Sequence, residues 1–170
     1  MAQISNIPKN KGDAVKTIDL SVDAIKHCSY IFGLWEAQSK ETASDGSEYT
    51  PVVEVQAPEA TPETLRVVAE LFKLHEKEDL PPEVEKNLSI EISKEDTSIL
   101  ESIKSTELPG LIKTIEFLQS RLLLNIVCKF VAKNTFNKSE KEYQEYFGIF
   151  RDITEKDIEE VKAKYPDLFK

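Results

Sequence analysis

Hydrophobic and polar positions divide the chain into a front part that mixes two periods and a rear part that keeps one. Val15-Lys16-Thr17-Ile18-Asp19-Leu20 alternates at period two, the pattern of a strand with one buried face, and Lys11-Gly12-Asp13 ahead of it marks the turn from a first short strand. Val22, Ile25, Cys28, Ile31 and Phe32 then recur at helical spacing behind Ser21, a residue suited to capping, which predicts one helix ending near Gly33 or Trp35. The small, polar and charged residues 37–48 predict a mobile loop. Val52-Val53-Glu54-Val55 predicts a third strand. Thr61-Pro62-Glu63 predicts a helix start, because threonine caps and proline at the first helical position sacrifices no hydrogen bond. Leu65, Val68, Ala69, Leu71 and Phe72 give that helix its apolar stripe.

From His75 to Lys94 charge rises, Pro81-Pro82 breaks any helix, and few apolar residues remain to offset the entropy of ordering the backbone, so 75–95 reads as a flexible acidic insertion. Behind it the pattern is helical throughout. A short element is expected near Ser98-Ile103 and a longer one carries Leu108, Leu111, Ile112, Ile115 and Leu118. The segment from Arg121 to Ala132 is apolar around most of its circumference, so it must be covered on two sides: by the strand-containing core, and by the following helices or a partner. Two short helices follow. Ser139-Glu140-Lys141-Glu142 fits a capping box and Thr154-Glu155-Lys156-Asp157 is an acidic variant of it. The first carries Tyr143, Tyr146 and Phe147, with Phe150 beyond; the second carries Ile158, Val161 and Tyr165, with Leu168 and Phe169 near its end. Helices this short are marginal alone. Periodicity leaves open whether they cap the preceding helix or hold a groove open for a partner's amphipathic helix.

Composition narrows the function classes. The 170 residues suffice for one core, and 22 Lys and Arg against 31 Asp and Glu leave a net charge of -9, so no basic stripe is expected and nucleic acid and anionic membranes are poor partners. No window reaches the roughly 18 apolar residues of a membrane span, and the polar start lacks a signal peptide's apolar segment. A soluble intracellular protein of cytoplasm and nucleus is expected. Cys28 and Cys128 sit among apolar residues and are expected as two buried thiols rather than a disulfide. His27 and His75 are far apart with no ligand at metal spacing, the five glycines are dispersed, and Cys128 in an apolar helix is a poor nucleophile. The acidic pairs Glu83-Glu85 and Glu159-Glu160 read as solvated surface, and Trp35 as an anchor at the edge of the core. No catalytic constellation, metal site or cofactor is expected, and the chain reads as a non-enzyme.

The order of elements resembles a BTB/POZ domain of the S-phase kinase-associated (Skp) adaptor type. Phe117-Leu118, Leu123-Leu124, Cys128-Lys129 and Val131-Ala132 stand where that family has an aromatic-leucine, a leucine pair, Cys-Lys and Val-Ala. Lys138-Ser139, Tyr146-Phe147-Gly148-Ile149 and Asp152-Ile153-Thr154-Glu155 are similar to its last two helices and the turn between them, and Thr50-Pro51-Val52 precedes the third strand. The resemblance implies an α+β fold: a BTB/POZ-like domain over 1–133 with a small three-stranded sheet and helices, then a C-terminal helical extension over 134–170. It also implies a non-catalytic adaptor of an SCF-type ubiquitin ligase, linking F-box substrate receptors to a cullin N-terminal domain. By the same carry-over Leu124, Val127, Cys128, Val131, Phe147, Ile149, Ile153, Ile158, Val161 and Phe169 form or support the F-box-binding surface, and Glu116 and Phe117 lie on the cullin side. The family's C-terminal tryptophan is missing, and Tyr165 or Phe169 stands in its place. Thr114-Ile115-Glu116 departs from the small residues and asparagine usual before the cullin-facing aromatic, which makes cullin binding the less secure interaction. The alternative is a BTB-fold structural protein that self-assembles, as a homodimer, without a cullin.

Overall fold

A computed structural model describes residues 1–7, 15–44, 52–79, 91–149 and 154–164, the side chains of 41–44 excepted. Three strands, β1 (Ala2–Asn6), β2 (Thr17–Leu20) and β3 (Val53–Ala57), form one small sheet in the order β2-β1-β3. β1 runs antiparallel to β2, placing Ile4 opposite Ile18, and parallel to β3, placing Ile4 opposite Val55. Because side chains alternate across a strand, Ala2, Ile4, Ile18, Leu20, Val53, Val55 and Ala57 share one buried face. Gln3 and Asp19 share the other, where the Gln3 amide donates to Asp19 at 2.8 Å.

The helices are α1 (Val22–Ile25), α2 (Ser29–Ser44), α3 (Pro62–His75), α4 (Lys94–Glu101), α5 (Leu108–Leu118), α6 (Arg121–Thr135), α7 (Glu140–Phe147) and α8 (Glu155–Lys164), with a 3-10 turn at Ser105–Glu107. The mixed α+β architecture, one small three-stranded sheet among mostly helices, is consistent with a BTB-like domain plus C-terminal helices. α3 is the hub. It packs on β1 and β2 on one side and on α4, α5 and α6 on the other. Its Leu65, Val67, Val68, Leu71 and Phe72 are completely buried, each large side chain stabilising by about 1.5–3 kcal/mol. Its start is fixed as the sequence indicates, by Thr61, which accepts from the Thr64 N–H at 3.1 Å while the Thr64 hydroxyl accepts from the Thr61 N–H at 2.8 Å.

Local pattern and structure part company at several places. The predicted strand at 15–20 begins only at Thr17, with Val15 exposed, and the third strand runs on to Ala57. The single helix expected behind Ser21 is two. The chain breaks at 26–28, where the His27 and Cys28 N–H groups bond to the Ala24 and Ile25 carbonyls at 3.2 and 2.9 Å, and the Ser29 N–H that opens α2 bonds to the Gln119 carbonyl at 3.4 Å, a tertiary contact no local pattern records. α2 then passes through Gly33 and Trp35 and takes in 37–44 of the expected loop; Ser39 donates back to the Trp35 carbonyl at 2.8 Å and the residues between are good helix formers. The rest of that loop, and the turn at Lys11-Gly12-Asp13, lie outside the described residues. Trp35 packs against the core's edge, its ring stacked on Phe32 at 5.9 Å. The expected insertion at 75–95 is narrower than its composition implies, since His75 ends α3 in a buried position and Ser93 caps α4, accepting from the Asp96 N–H at 3.0 Å. The short element expected near Ser98-Ile103 is therefore α4, starting four residues earlier at Lys94.

Candidate functional site

α6 makes the surface question concrete. Leu123, Ile126, Val127 and Phe130 turn into the core, whereas Leu124, Cys128 and Val131, at positions i, i+4 and i+7, form a neighbouring apolar flank that is only partly covered. Val127 is fully buried and backs the flank from inside. Cys128 is exposed, correcting the expectation of two buried thiols: Cys28 is buried and its thiol pushed up to about 12 by desolvation, while Cys128 sits on the flank. Its thiol is raised too, first by partial desolvation and then by the carboxylate of Glu116.

That electrostatic contact joins residues assigned to two different surfaces. α5 ends at Gln119, whose left-handed backbone (φ 54°) lets its N–H bond back to the Glu116 carbonyl, and Ser120 caps α6 by accepting from the Leu123 N–H at 3.4 Å. The tight turn sets Glu116, Gln119, Arg121 and Leu124 around one open groove of about 390 Å³, with Ser29, Ile115 and Ser120 completing its wall. Beside it Phe117 is half-buried and meets Tyr30 edge-on, ring centroids 5.6 Å apart. Of the unusual stretch before Phe117, Thr114 and Ile115 point inward and are buried, the Thr114 hydroxyl donating to the Gly110 carbonyl at 2.9 Å. Glu116 alone faces solvent.

Both short C-terminal helices are capped as their sequences indicate. Glu142 accepts from the Ser139 N–H at 2.8 Å and hydroxyl at 2.6 Å, and these bonds hold its carboxyl below the ordinary range. Asp157 accepts from the Thr154 N–H at 2.9 Å and hydroxyl at 2.6 Å. α7 ends on Gly148, whose φ of 66° is a conformation glycine adopts without steric cost, and the Ile149 N–H reaches the Gln144 carbonyl at 2.7 Å. α7 packs on the 3-10 turn, with Tyr146 and Phe147 edge-on to each other at 5.0 Å and resting on the core. Lys138 stands over the Tyr146 ring at 5.7 Å, and burial pushes the phenol up.

α8 differs. It buries no residue, Ile158 is 41% and Val161 44% exposed, and among the described residues no element packs extensively on it. Ile149 is 49% exposed, Tyr143 on the aromatic stripe of α7 is 40% exposed, and Phe136, just past α6 and not singled out by patterning, is 71% exposed. Phe136 follows the last turn of α6, where periodicity no longer reports a face. Ile153 and Phe169 lie outside the described residues. Among the described residues no group of three or more His, Cys, Asp or Glu side chains could hold a metal ion, and no helix is long and apolar enough to cross a membrane.

No curated protein matches the chain. Residues 121–168, the stretch that begins at the first residue of α6 and continues past α8, match the model of the Skp1 family, dimerisation domain. An exposed apolar flank on α6, two capped short helices and the small α+β core in front of them agree with that match, and over 121–168 the chain is similar to the Skp1 family.

Proposed function

We propose that this chain is a non-catalytic adaptor subunit of an SCF-type ubiquitin ligase, acting in cytoplasm and nucleus, and that it holds the helices of an F-box receptor on the Leu124-Cys128-Val131 flank together with Phe147, Ile149, Ile158 and Val161. The observation that carries the reading is the exposure of Ile158 and Val161 on a helix of ten residues. So short a helix has little intrinsic stability, and its apolar residues gain only when something covers them. A helix laid against a groove is a recurrent way to cover them. The match of 121–168 to the Skp1 family model supports the same reading. Its mechanism is proximity: substrate held near a ubiquitin-charged enzyme gains effective concentration without a catalytic group from the adaptor.

A cullin N-terminal domain would dock weakly at Glu116 and Phe117. Thr114 and Ile115 face inward, so the departure from the family pattern acts through one carboxylate, which costs little at an interface rim and several kcal/mol if buried unpaired. The test is a pull-down with an F-box peptide and, separately, a cullin N-terminal domain. Capture of the F-box peptide is expected, and its absence would falsify the adaptor reading. Self-assembly through the BTB-like fold is the competing outcome; light scattering showing a stable homodimer that ignores F-box peptides would favour it.

A further inference from the structure

Away from the partner-binding face, the end of α3 holds a buried cluster that adaptor function does not use. The two histidines, 48 positions apart, meet there. A ring N–H of His27, in the turn between α1 and α2, bonds to the His75 backbone carbonyl, which also accepts the Glu78 N–H at 3.0 Å. The other nitrogen of His27, Nδ1, is buried and has no hydrogen-bond partner among the described residues. His75 makes two short contacts, Nδ1 to Glu78 at 2.7 Å and Nε2 to Asp96 in the first turn of α4 at 2.7 Å. Asp96 is 4% exposed, and its second oxygen accepts from the Ser93 hydroxyl at 2.7 Å. The Glu78 side chain is more than half exposed. Lys26 lies next to His27 in the same turn, where its charge acts on the His27 ring, and Lys77 stands between Glu76 and Glu78. Glu76 accepts from the Ser21 hydroxyl at 3.2 Å.

Ionised carboxylates only accept hydrogen bonds, so a histidine placed between two of them satisfies both only when both its nitrogens carry protons. Remove one proton and a ring lone pair faces a carboxylate lone pair across 2.7 Å. One contact must break. Asp96 is enclosed and fixed by Ser93, whereas Glu78 can swing into water. We propose that His75 is a proton-operated clasp joining the end of α3 to the start of α4: protonated it holds Glu78 and Asp96 together, and neutral it keeps Asp96 and releases Glu78. Release removes the side-chain tether of the turn after α3, leaving it held by the Glu78 N–H, which shares the His75 carbonyl with the His27 ring. α4, which packs on both α3 and α6, keeps its Asp96 tether. Burial alone would lower the His75 pKa, but the bonds and charges of Asp96 and Glu78 outweigh it and raise it above the ordinary imidazole range.

The full chain has only two histidines, so their ring resonances are separable in an NMR titration, followed alongside amide exchange by mass spectrometry. His75 is expected to titrate above the free-imidazole value of about 6.5. As it loses its proton, exchange at 76–79 should rise several-fold after correction for intrinsic rates, with Lys94–Glu101 unchanged. In Glu78→Gln, an exposed substitution that leaves the core intact, the neutral amide can pair with either form of the ring. The exchange step should vanish and the His75 midpoint fall. Titration of His75 without an exchange step at 76–79, or a step of the same size in E78Q, overturns the clasp.

Discussion

Gly148 shows how much one residue can fix. Its left-handed backbone ends α7 and turns the chain toward Ile149, and a side chain there meets the steric cost of about 1–2 kcal/mol that L-residues carry in this region. Gly148→Ala should weaken α7 by that amount, read as faster amide exchange over Glu140–Phe147. The cysteines give a second test at this scale. Cys128 is exposed and Cys28 enclosed, so a disulfide-forming chromophoric reagent should titrate one thiol in the native protein and the second only on unfolding. Both thiols are raised above their usual value, so Cys128 should react slowly at neutral pH and faster as pH rises. Because Glu116 is one cause of its raised value, Glu116→Gln should speed the reaction at fixed pH; an unchanged rate would separate the two residues. The sequence placed both cysteines among apolar neighbours, but it could not say that position 128 falls beside, rather than within, the buried stripe of α6.

Among the elements, α7 and α8 have the most legible starts, and α8 the most ambiguous placement. The caps at Ser139 and Thr154 are local hydrogen bonds between residues three apart, so the sequence contains everything needed to form them. Whether α8 closes on the body depends on contacts with distant residues, and periodicity carries no record of those. The structure leaves Ile158 and Val161 open. Ile158→Asp with Val161→Asp should therefore change stability to unfolding by no more than about 0.5 kcal/mol. The same pair should weaken F-box peptide binding at least about tenfold, or ~1.4 kcal/mol, in calorimetry. A large loss of stability instead would mean that α8 is part of the core. The split of the first helix into α1 and α2 teaches the converse lesson. Its apolar spacing is continuous, yet the chain turns at 26–28 and the Ser29 N–H that opens α2 bonds to Gln119, ninety residues on.

At the scale of the whole molecule, the two histidines should set opposite slopes of stability against pH. Burial lowers the His27 pKa, so its contribution is complete above the unfolded value of about 6.5 and is lost as pH falls through the lower folded value. His75 is raised, so its contribution is complete below about 6.5 and fades as pH rises through the higher folded value. Denaturant unfolding from pH 5 to 9 should show the difference between the wild type and His75→Gln shrinking toward the alkaline side. A difference that grows there would reverse the assigned sign.

What the sequence determined by itself is whatever depends on near neighbours: the alternating strand face at Ile18 and Leu20, the capped start of α3, the width of apolar surface on α6, and the capped starts of α7 and α8. These are set by backbone hydrogen bonds and side-chain spacing within a few residues. Tertiary structure alone decided which flank of α6 stays uncovered, that Thr114 and Ile115 turn inward while Glu116 faces out, and that His27, His75 and Asp96 meet. Each depends on how helices separated by tens of residues rotate against one another to bury the most apolar surface, and that choice is made by the packed core as a whole.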